Sequence, residues 1–169
     1  MSFVATGGIT EKNINEYLSF DKVIACGGSF MVNKELIANK EFKQITELTK
    51  TTISTMLGFE VAHVGINTNN ENEALKVSKS FKDLFGFEET IGNSSIFASK
   101  GIEVLKSKYL GNNGHIGIRT NSIDRAVAYL KTQGYEFLED SAKYDKKNKL
   151  TSIYFKDEIG GFAVHLVQK

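Results

Sequence analysis

The chain has 169 residues, 41% of them apolar and 24% charged, an ordinary balance for soluble globular material of one or two small domains. Its 21 basic residues against 20 acidic ones leave a formal charge of +1, with no basic stripe that would suit nucleic acid. No apolar run reaches the roughly 18 residues of a membrane span. The opening Met1-Ser2-Phe3-Val4-Ala5-Thr6 lacks the layout of a secretion signal, and the single Cys26 cannot form an internal disulfide, so a cytoplasmic setting is expected.

Proline is absent, so glycine must supply most turns. Phe3-Val4-Ala5 is a short apolar run stopped by Thr6-Gly7-Gly8. A helical pattern follows over roughly Glu11 to Leu18, with Thr10 able to cap it. A second apolar run, Val23 to Cys26, is stopped by Gly27-Gly28-Ser29. Helices are expected near Lys34 to Ala38 and over Glu41 to Leu57, the latter with Phe42, Ile45, Leu48, Ile53 and Met56 at near-helical spacing. Apolar strands alternating with helices indicate parallel strands in βα units. Glycines where a strand hands over to a helix let backbone N–H groups approach an anion. One such pair would be no more than a tight turn. Two in register, with the Ser29 hydroxyl, point to a phosphate cradle.

Phe3-Val4-Ala5-Thr6-Gly7-Gly8-Ile9 and Ala25-Cys26-Gly27-Gly28-Ser29-Phe30 resemble the end of the class I aldolase barrel of the 2-keto-3-deoxy-6-phosphogluconate / 4-hydroxy-2-oxoglutarate aldolases. The resemblance covers about residues 2–57 and implies the seventh and eighth βα units of a (β/α)8 barrel, whose loops commonly bind phosphate. It places Gly7, Gly8, Gly28 and Ser29 on the substrate phosphate, with Thr6 lining the site. Ala5 stands where the family usually has proline. The family's Schiff-base lysine belongs to an earlier strand, and Lys12, Lys22 and Lys34 match no such position. These residues alone are therefore expected to have no aldolase activity.

From about residue 60 the chain repeats itself. His63-Val64-Gly65-Ile66-Asn67-Thr68-Asn69 matches His115-Ile116-Gly117-Ile118-Arg119-Thr120-Asn121 at an offset of 52 residues. Helical segments follow, Glu71 to Phe85 and Ser122 to Gln133, ending at Gly86-Phe87-Glu88 and Gly134-Tyr135-Glu136. Short strands come next: Phe87 to Ile91, Ser95 to Ala98 and Ile102 to Lys106, then Glu136 onward, Leu150 to Phe155 and Phe162 to Val167. Both copies read β-α-β-β-β. Such a unit cannot bury its own apolar face, and two copies pairing is the simplest remedy. Ala74, Leu75, Val77, Phe81, Leu84 and Phe85 are expected to cover the outside of a curved sheet. Residues 143–149 read as an exposed hairpin turn.

All three histidines fall in this part. His63 and His115 are repeat-related. Aligning Ile102-Glu103-Val104 with Val164-His165-Leu166 pairs Glu103 with His165. Imidazole and carboxylate are ligands for Zn²⁺, Mn²⁺, Fe²⁺, Co²⁺ or Ni²⁺. His63, Glu103, His115 and His165 therefore form a candidate divalent-metal site with positions open for a bidentate ligand. The alternative is a set of hydrogen-bonded structural histidines. Lys106, Lys108, Tyr109, Arg119, Tyr144 and Tyr154 are candidate auxiliary groups.

This pattern resembles the vicinal oxygen chelate superfamily, which includes glyoxalase I, extradiol dioxygenases, methylmalonyl-CoA epimerase and bleomycin-resistance proteins. The resemblance covers about residues 60–169. It implies a fold of two βαβββ modules behind a two-unit barrel remnant, α+β in class, with domains at 1–58 and 60–169. It also implies a small oxo- or hydroxy-acid ligand, possibly phosphorylated in the parent protein, and a homodimer. The fourth ligand place, usually glutamate, is His165, which removes a negative charge and a plausible base. The expected parent is an aldolase, a lyase, carrying a glyoxalase-like metal-binding domain. The alternative function is a non-catalytic binding or dimerisation module that regulates the aldolase.

Overall fold

The computed structural model describes residues 1–169, which divide into two compact units, Met1–Gly58 and Phe59–Lys169. In the first unit, strand β1 (Phe3–Thr6) leads through helix α1 (Ile14–Leu18) to strand β2 (Val23–Gly27). A 3-10 turn at Ser29–Met31 and helices α2 (Lys34–Ala38) and α3 (Phe42–Leu57) complete it. β1 and β2 pair in parallel, from Phe3 opposite Val23 to Thr6 opposite Gly27. Ile9, Ile14 and Leu18 form the small core, with Val23, Cys26, Phe30 and Met56 against it.

Helix α1 begins later than expected. Thr10 does not cap it; instead the Asn13 side chain accepts a hydrogen bond from the Thr10 N–H at 2.7 Å and ties the entry turn. In α3, Thr46, Thr49 and Thr52 donate to the carbonyls of Phe42, Ile45 and Leu48, so three hydroxyls are satisfied within their own helix. Phe42, expected on the apolar stripe, is 60% exposed, because it sits at the first turn of the helix. The helix stops at Gly58, whose left-handed φ of 56° places its N–H on the Ser54 carbonyl. Phe3, Val4 and Ile24 on the two strands are exposed.

The second unit is one eight-stranded sheet in the order β4-β5-β6-β3-β7-β10-β9-β8. Its first module is β3 (Glu60–Asn67), α4 (Glu71–Phe85), β4 (Glu89–Ile91), β5 (Ser95–Ala98) and β6 (Ile102–Leu105). The second is β7 (His115–Thr120), α5 (Ile123–Thr132), β8 (Phe137–Tyr144), β9 (Leu150–Phe155) and β10 (Ala163–Gln168). Each module is the β-α-β-β-β unit read from the repeat. The first strands, β3 and β7, meet antiparallel at the centre, so a local twofold passes between them.

Both helices are capped by the residue types the sequence offers. Asn70 accepts from the Glu73 N–H at 3.0 Å, and Ser122 faces the Arg125 N–H at 3.5 Å. Helix α4 packs Ala74 and Ser78, both fully buried, with Val77 toward Ile96 and Val104 on the sheet. Burying Ile96 and Val104 stabilises the module by about 1.5–3 kcal/mol per side chain. Three residues expected on this face lie elsewhere: Leu75 is 38%, Leu84 74% and Phe85 62% exposed. The inward stripe is occupied by small residues spaced by four, which rotates Leu75 outward. Phe85 instead gathers with Phe81 and Phe87, ring centroids 5.7–6.2 Å away, at the end of the helix. Gly86 ends the helix and Phe87-Glu88 stay outside β4. The predicted hairpin turn is narrower than 143–149, because Lys143 and Tyr144 still belong to β8. No helix of the chain is long and apolar enough to cross a membrane.

Candidate metal centre

Strand alternation sends Ile96, Val104, Ile153 and Leu166 toward the helices and Phe97, Glu103, Tyr154 and His165 to the other face. Two rungs of the sheet then define the centre. Glu103, Gly65 and His115 are cross-strand neighbours on one. His63, Gly117 and His165 are neighbours on the other. Both rungs alternate a side chain with donor atoms, a glycine, and another donor. His63 lies inside β3, which starts at Glu60, whereas His115 opens β7.

Three donor atoms crowd His63 Nε2, and the three imidazoles form one cluster. His63 Nε2 lies 3.1 Å from His115 Nε2, 3.2 Å from His165 Nε2 and 3.2 Å from Glu103 Oε2. His115 Nε2 is 3.2 Å from the same carboxylate oxygen. The histidines are 9%, 2% and 7% exposed for His63, His115 and His165. A neutral imidazole carries one ring proton. One N–H on His63 cannot serve three neighbours at equal distance, so hydrogen bonding alone leaves this packing under-satisfied. Donors held at about 2.0–2.1 Å from one divalent ion stand about 2.8–3.0 Å from their neighbours in an octahedral set and about 3.3–3.4 Å in a tetrahedral one. The four contacts at 3.1–3.2 Å lie between these values, and the three imidazoles, with the Glu103 carboxylate beside two of them, suit such an ion.

The electrostatics agree. Burial lowers His63, against the opposing pull of Glu103, and pushes His165 down to about 3. Burial pushes Glu103 upward, but hydrogen bonds from His115 and Ser95 and the neighbouring imidazoles outweigh it and hold the carboxyl at about 2. At neutral pH His63 and His165 are therefore neutral and Glu103 ionised, the forms that ligate metal. His115 Nδ1 is buried with no hydrogen-bond partner.

Supporting groups repeat across the twofold as well. Ser152 Oγ lies 2.9 Å from His165 Nδ1, and Ser95 donates to Glu103. Phe97 meets the His63 ring edge-on at 5.9 Å, and Tyr154 stacks on His165 at 4.5 Å. Sequence reading missed Ser95, Ser152 and Phe97. The signal was present as Ser95-x-Phe97 against Ser152-x-Tyr154, aromatic and hydroxyl in matching places on the third strand of each module.

Of the auxiliary candidates, Tyr154 and Tyr109 reach the centre, Tyr109 meeting Tyr154 edge-on at 5.8 Å. Burial, then Tyr109 and Glu103, push the Tyr154 phenol upward, so it stays protonated. Arg119 is close enough to help lower His63, and faces Glu60 at 3.8 Å. Lys106 is taken by Glu71 at 2.6 Å, Lys108 is exposed, and Tyr144 is 57% exposed.

In the first unit, the Thr6–Gly27 register sets the loop after β1 beside the loop after β2. Thr6, Gly7, Gly8 and Ser29 are exposed and Gly28 half-buried. Gly7 and Gly8 have φ of 82° and 69°, which only glycine adopts freely, so the turn itself demands them. Asn13 Nδ2 donates to the Gly8 carbonyl at 3.0 Å and fixes that loop.

Residues 1–48 match the family model for KDPG and KHG aldolase. The 2-dehydro-3-deoxy-phosphogluconate aldolase of Treponema pallidum (strain Nichols) is 47% identical over 51 residues, 30% of this chain and 24% of that protein. Its counterpart in Haemophilus influenzae (strain ATCC 51907 / DSM 11121 / KW20 / Rd) is 38% identical over 53 residues, 31% of this chain and 25% of that protein. The chain thus spans about a quarter of the length of the curated relatives it matches. Among solved structures, methylmalonyl-CoA epimerase from Mycobacterium tuberculosis aligns with a TM-score of 0.47 at 17% identity, over 67% of this chain and 89% of that one. A methylmalonyl-CoA epimerase in complex with methylmalonyl-CoA and NH4+ aligns with a TM-score of 0.46 at 14% identity, over 64% and 93%. Residues 1–48 thus match the KDPG and KHG aldolase family model, and the second unit is a pair of βαβββ modules joined in one eight-stranded sheet.

Proposed function

We propose that the paired modules hold one divalent metal ion through His63, His115, His165 and Glu103 and bind a small oxo- or hydroxy-acid there, appended to an aldolase of the keto-deoxy-phosphogluconate / keto-hydroxyglutarate class. The supporting observation is the convergence of three buried imidazoles, with the half-buried Glu103 carboxylate 3.2 Å from two of them. An ion so held would polarise vicinal oxygens of a chelating ligand as a Lewis acid. The chain's own residues do the rest. Ser152 and Ser95 orient His165 and Glu103 from behind, which fixes where their donor atoms point. Tyr154, kept protonated, offers a hydrogen-bond donor beside the histidines, and Arg119 adds positive charge that favours an anionic ligand. With His165 in a place that could carry a carboxylate, the centre has one fewer base, which disfavours proton abstraction of the glyoxalase kind.

The front segment supplies phosphate loops at Thr6, Gly7, Gly8, Gly28 and Ser29. Every lysine of Met1–Gly58 is exposed. A Schiff-base lysine needs a desolvated pocket. These 169 residues by themselves are expected to release no pyruvate from a phosphorylated keto-acid; turnover near that of a complete aldolase would sink this part of the proposal.

Elemental analysis of untagged protein tests the metal centre. One equivalent of a divalent transition metal, lost in the His63→Ala/His115→Ala double variant, supports it. A well-folded protein that takes up no metal refutes it. A second reading, a non-catalytic assembly or dimerisation module, draws on an apolar groove of about 310 Å³ lined by Phe59, Ile118, Leu130, Phe155, Val164 and Leu166. Sedimentation distinguishes it: a metal-free dimer that a charged residue at Ile118 breaks would favour this reading.

A further inference from the structure

We infer that Gly65 and Gly117 are positioning residues of the metal centre, each the seat of the other module's histidine ring. The inference deepens the metal-holding reading above and rests on it. In the central antiparallel ladder His63 stands opposite Gly117 and His115 opposite Gly65. A Cβ built on Gly65 would overlap the His115 ring at Cε1, Nδ1 and Nε2. One built on Gly117 would lie 2.5 Å from His63 Cε1, 2.8 Å from Nε2 and 2.9 Å from Nδ1. Real side-chain carbons do not approach so closely, so each ring occupies the space where its cross-strand neighbour would keep a side chain. Neither glycine has a positive φ, so the requirement is for volume and not for backbone conformation.

The rings have nowhere to retreat. His115 is 2% exposed and meets His63, His165 and Tyr154 at centroid distances of 5.1, 5.3 and 6.2 Å. His63 is further bounded by Phe97. Opposite residues of a ladder ordinarily keep their Cβ atoms about 4.5–5.5 Å apart and their side chains parallel. Removing one Cβ lets the facing imidazole lie across the strand, so that its Nε2 reaches the middle of the sheet. Both rings do so from opposite sides, and their Nε2 atoms meet at 3.1 Å. The repeated His-x-Gly is thus one device used twice: the histidine of each copy serves its own module, and the glycine serves the other.

The test uses the complete chain, with Zn²⁺ as the probe. Gly65→Ala and Gly117→Ala are expected to bind Zn²⁺ about 10–100-fold more weakly while far-UV circular dichroism stays that of the wild type. Gly101→Ala, whose Cβ would meet nothing within 4 Å, is expected to bind as the wild type does. A second measurement removes the metal. In chelator-treated protein Gly65→Ala lowers the thermal midpoint, and the same change in a His115→Ala background lowers it far less, because the ring that filled the space is gone. The cycle of Gly117→Ala with His63→Ala behaves alike. Wild-type Zn²⁺ affinity in both glycine variants, or an equal thermal loss in the two backgrounds, overturns the inference. Should the wild type itself bind no Zn²⁺, the metal reading fails, and the metal-free cycles still decide whether the glycines seat the rings.

Discussion

Removing the Ser152 hydroxyl should weaken metal binding much more than it weakens the fold. Ser152 Oγ lies 2.9 Å from Nδ1 of His165, a residue only 7% exposed. When Nε2 ligates a metal, the ring proton must sit on Nδ1, and Ser152 accepts it. In Ser152→Ala that N–H is left buried without a partner, a cost of about 1–3 kcal/mol. The metal-free ring has an escape. It can move its proton to Nε2 and donate to His63 Nε2, 3.2 Å away, so most of the cost disappears. The difference therefore falls on binding. Since about 1.4 kcal/mol is tenfold in affinity, the metal dissociation constant should rise about 5–150-fold. Titration with a chromophoric competitor measures it, alongside thermal melts of the chelator-treated variant. An affinity within twofold of the wild type, or an equal stability loss with and without metal, would refute the tautomer argument.

Other expectations follow from the packing and charge. Leu166→Ala removes a side chain that is 1% exposed in the second module, and should cost about 2–5 kcal/mol in urea unfolding. Asn70→Ala deletes the 3.0 Å cap on α4 and should cost about 1 kcal/mol, with no change in metal affinity. Chelator-treated protein should lose stability as the pH falls below about 6.5. The folded-state values of His63 and His165 lie below the unfolded value, so the unfolded chain binds more protons in that window, and stability rises with pH there. For His165 the loss extends toward pH 3, the value burial imposes. His165→Gln should flatten melting temperature between pH 7 and pH 5; an unchanged slope would contradict this assignment.

The repeat offset made much of the second unit legible in the sequence. A helix such as Glu71–Phe85 could be read to its ends, because Asn70 and Gly86 mark them chemically. Pairing Glu103 with His165 needed only the alignment of two short strands. What the sequence could not carry was cross-strand register. The roles of Gly65, Gly117, Ser95 and Ser152 depend on which residue lies opposite on another strand, and a single-chain pattern does not contain that. Leu84 and Phe85 misled for a related reason. Apolar residues beyond the last packed turn satisfy a helical period without facing the sheet, and here they assemble with Phe87 instead. In the first unit the apolar runs do form parallel strands, yet Phe3, Val4 and Ile24 are more than half exposed.

The seam between β3 and β7 gives this duplication a freedom that two separate identical subunits lack. A substitution in the gene of a self-associating module changes both halves of the shared site at once. In a tandem copy the halves drift independently, and Glu103 facing His165 across the twofold is the mark of such drift. The centre consequently has an anionic flank and a neutral flank. A guest with two unlike oxygens would meet two unlike sides, and so would be held one way round.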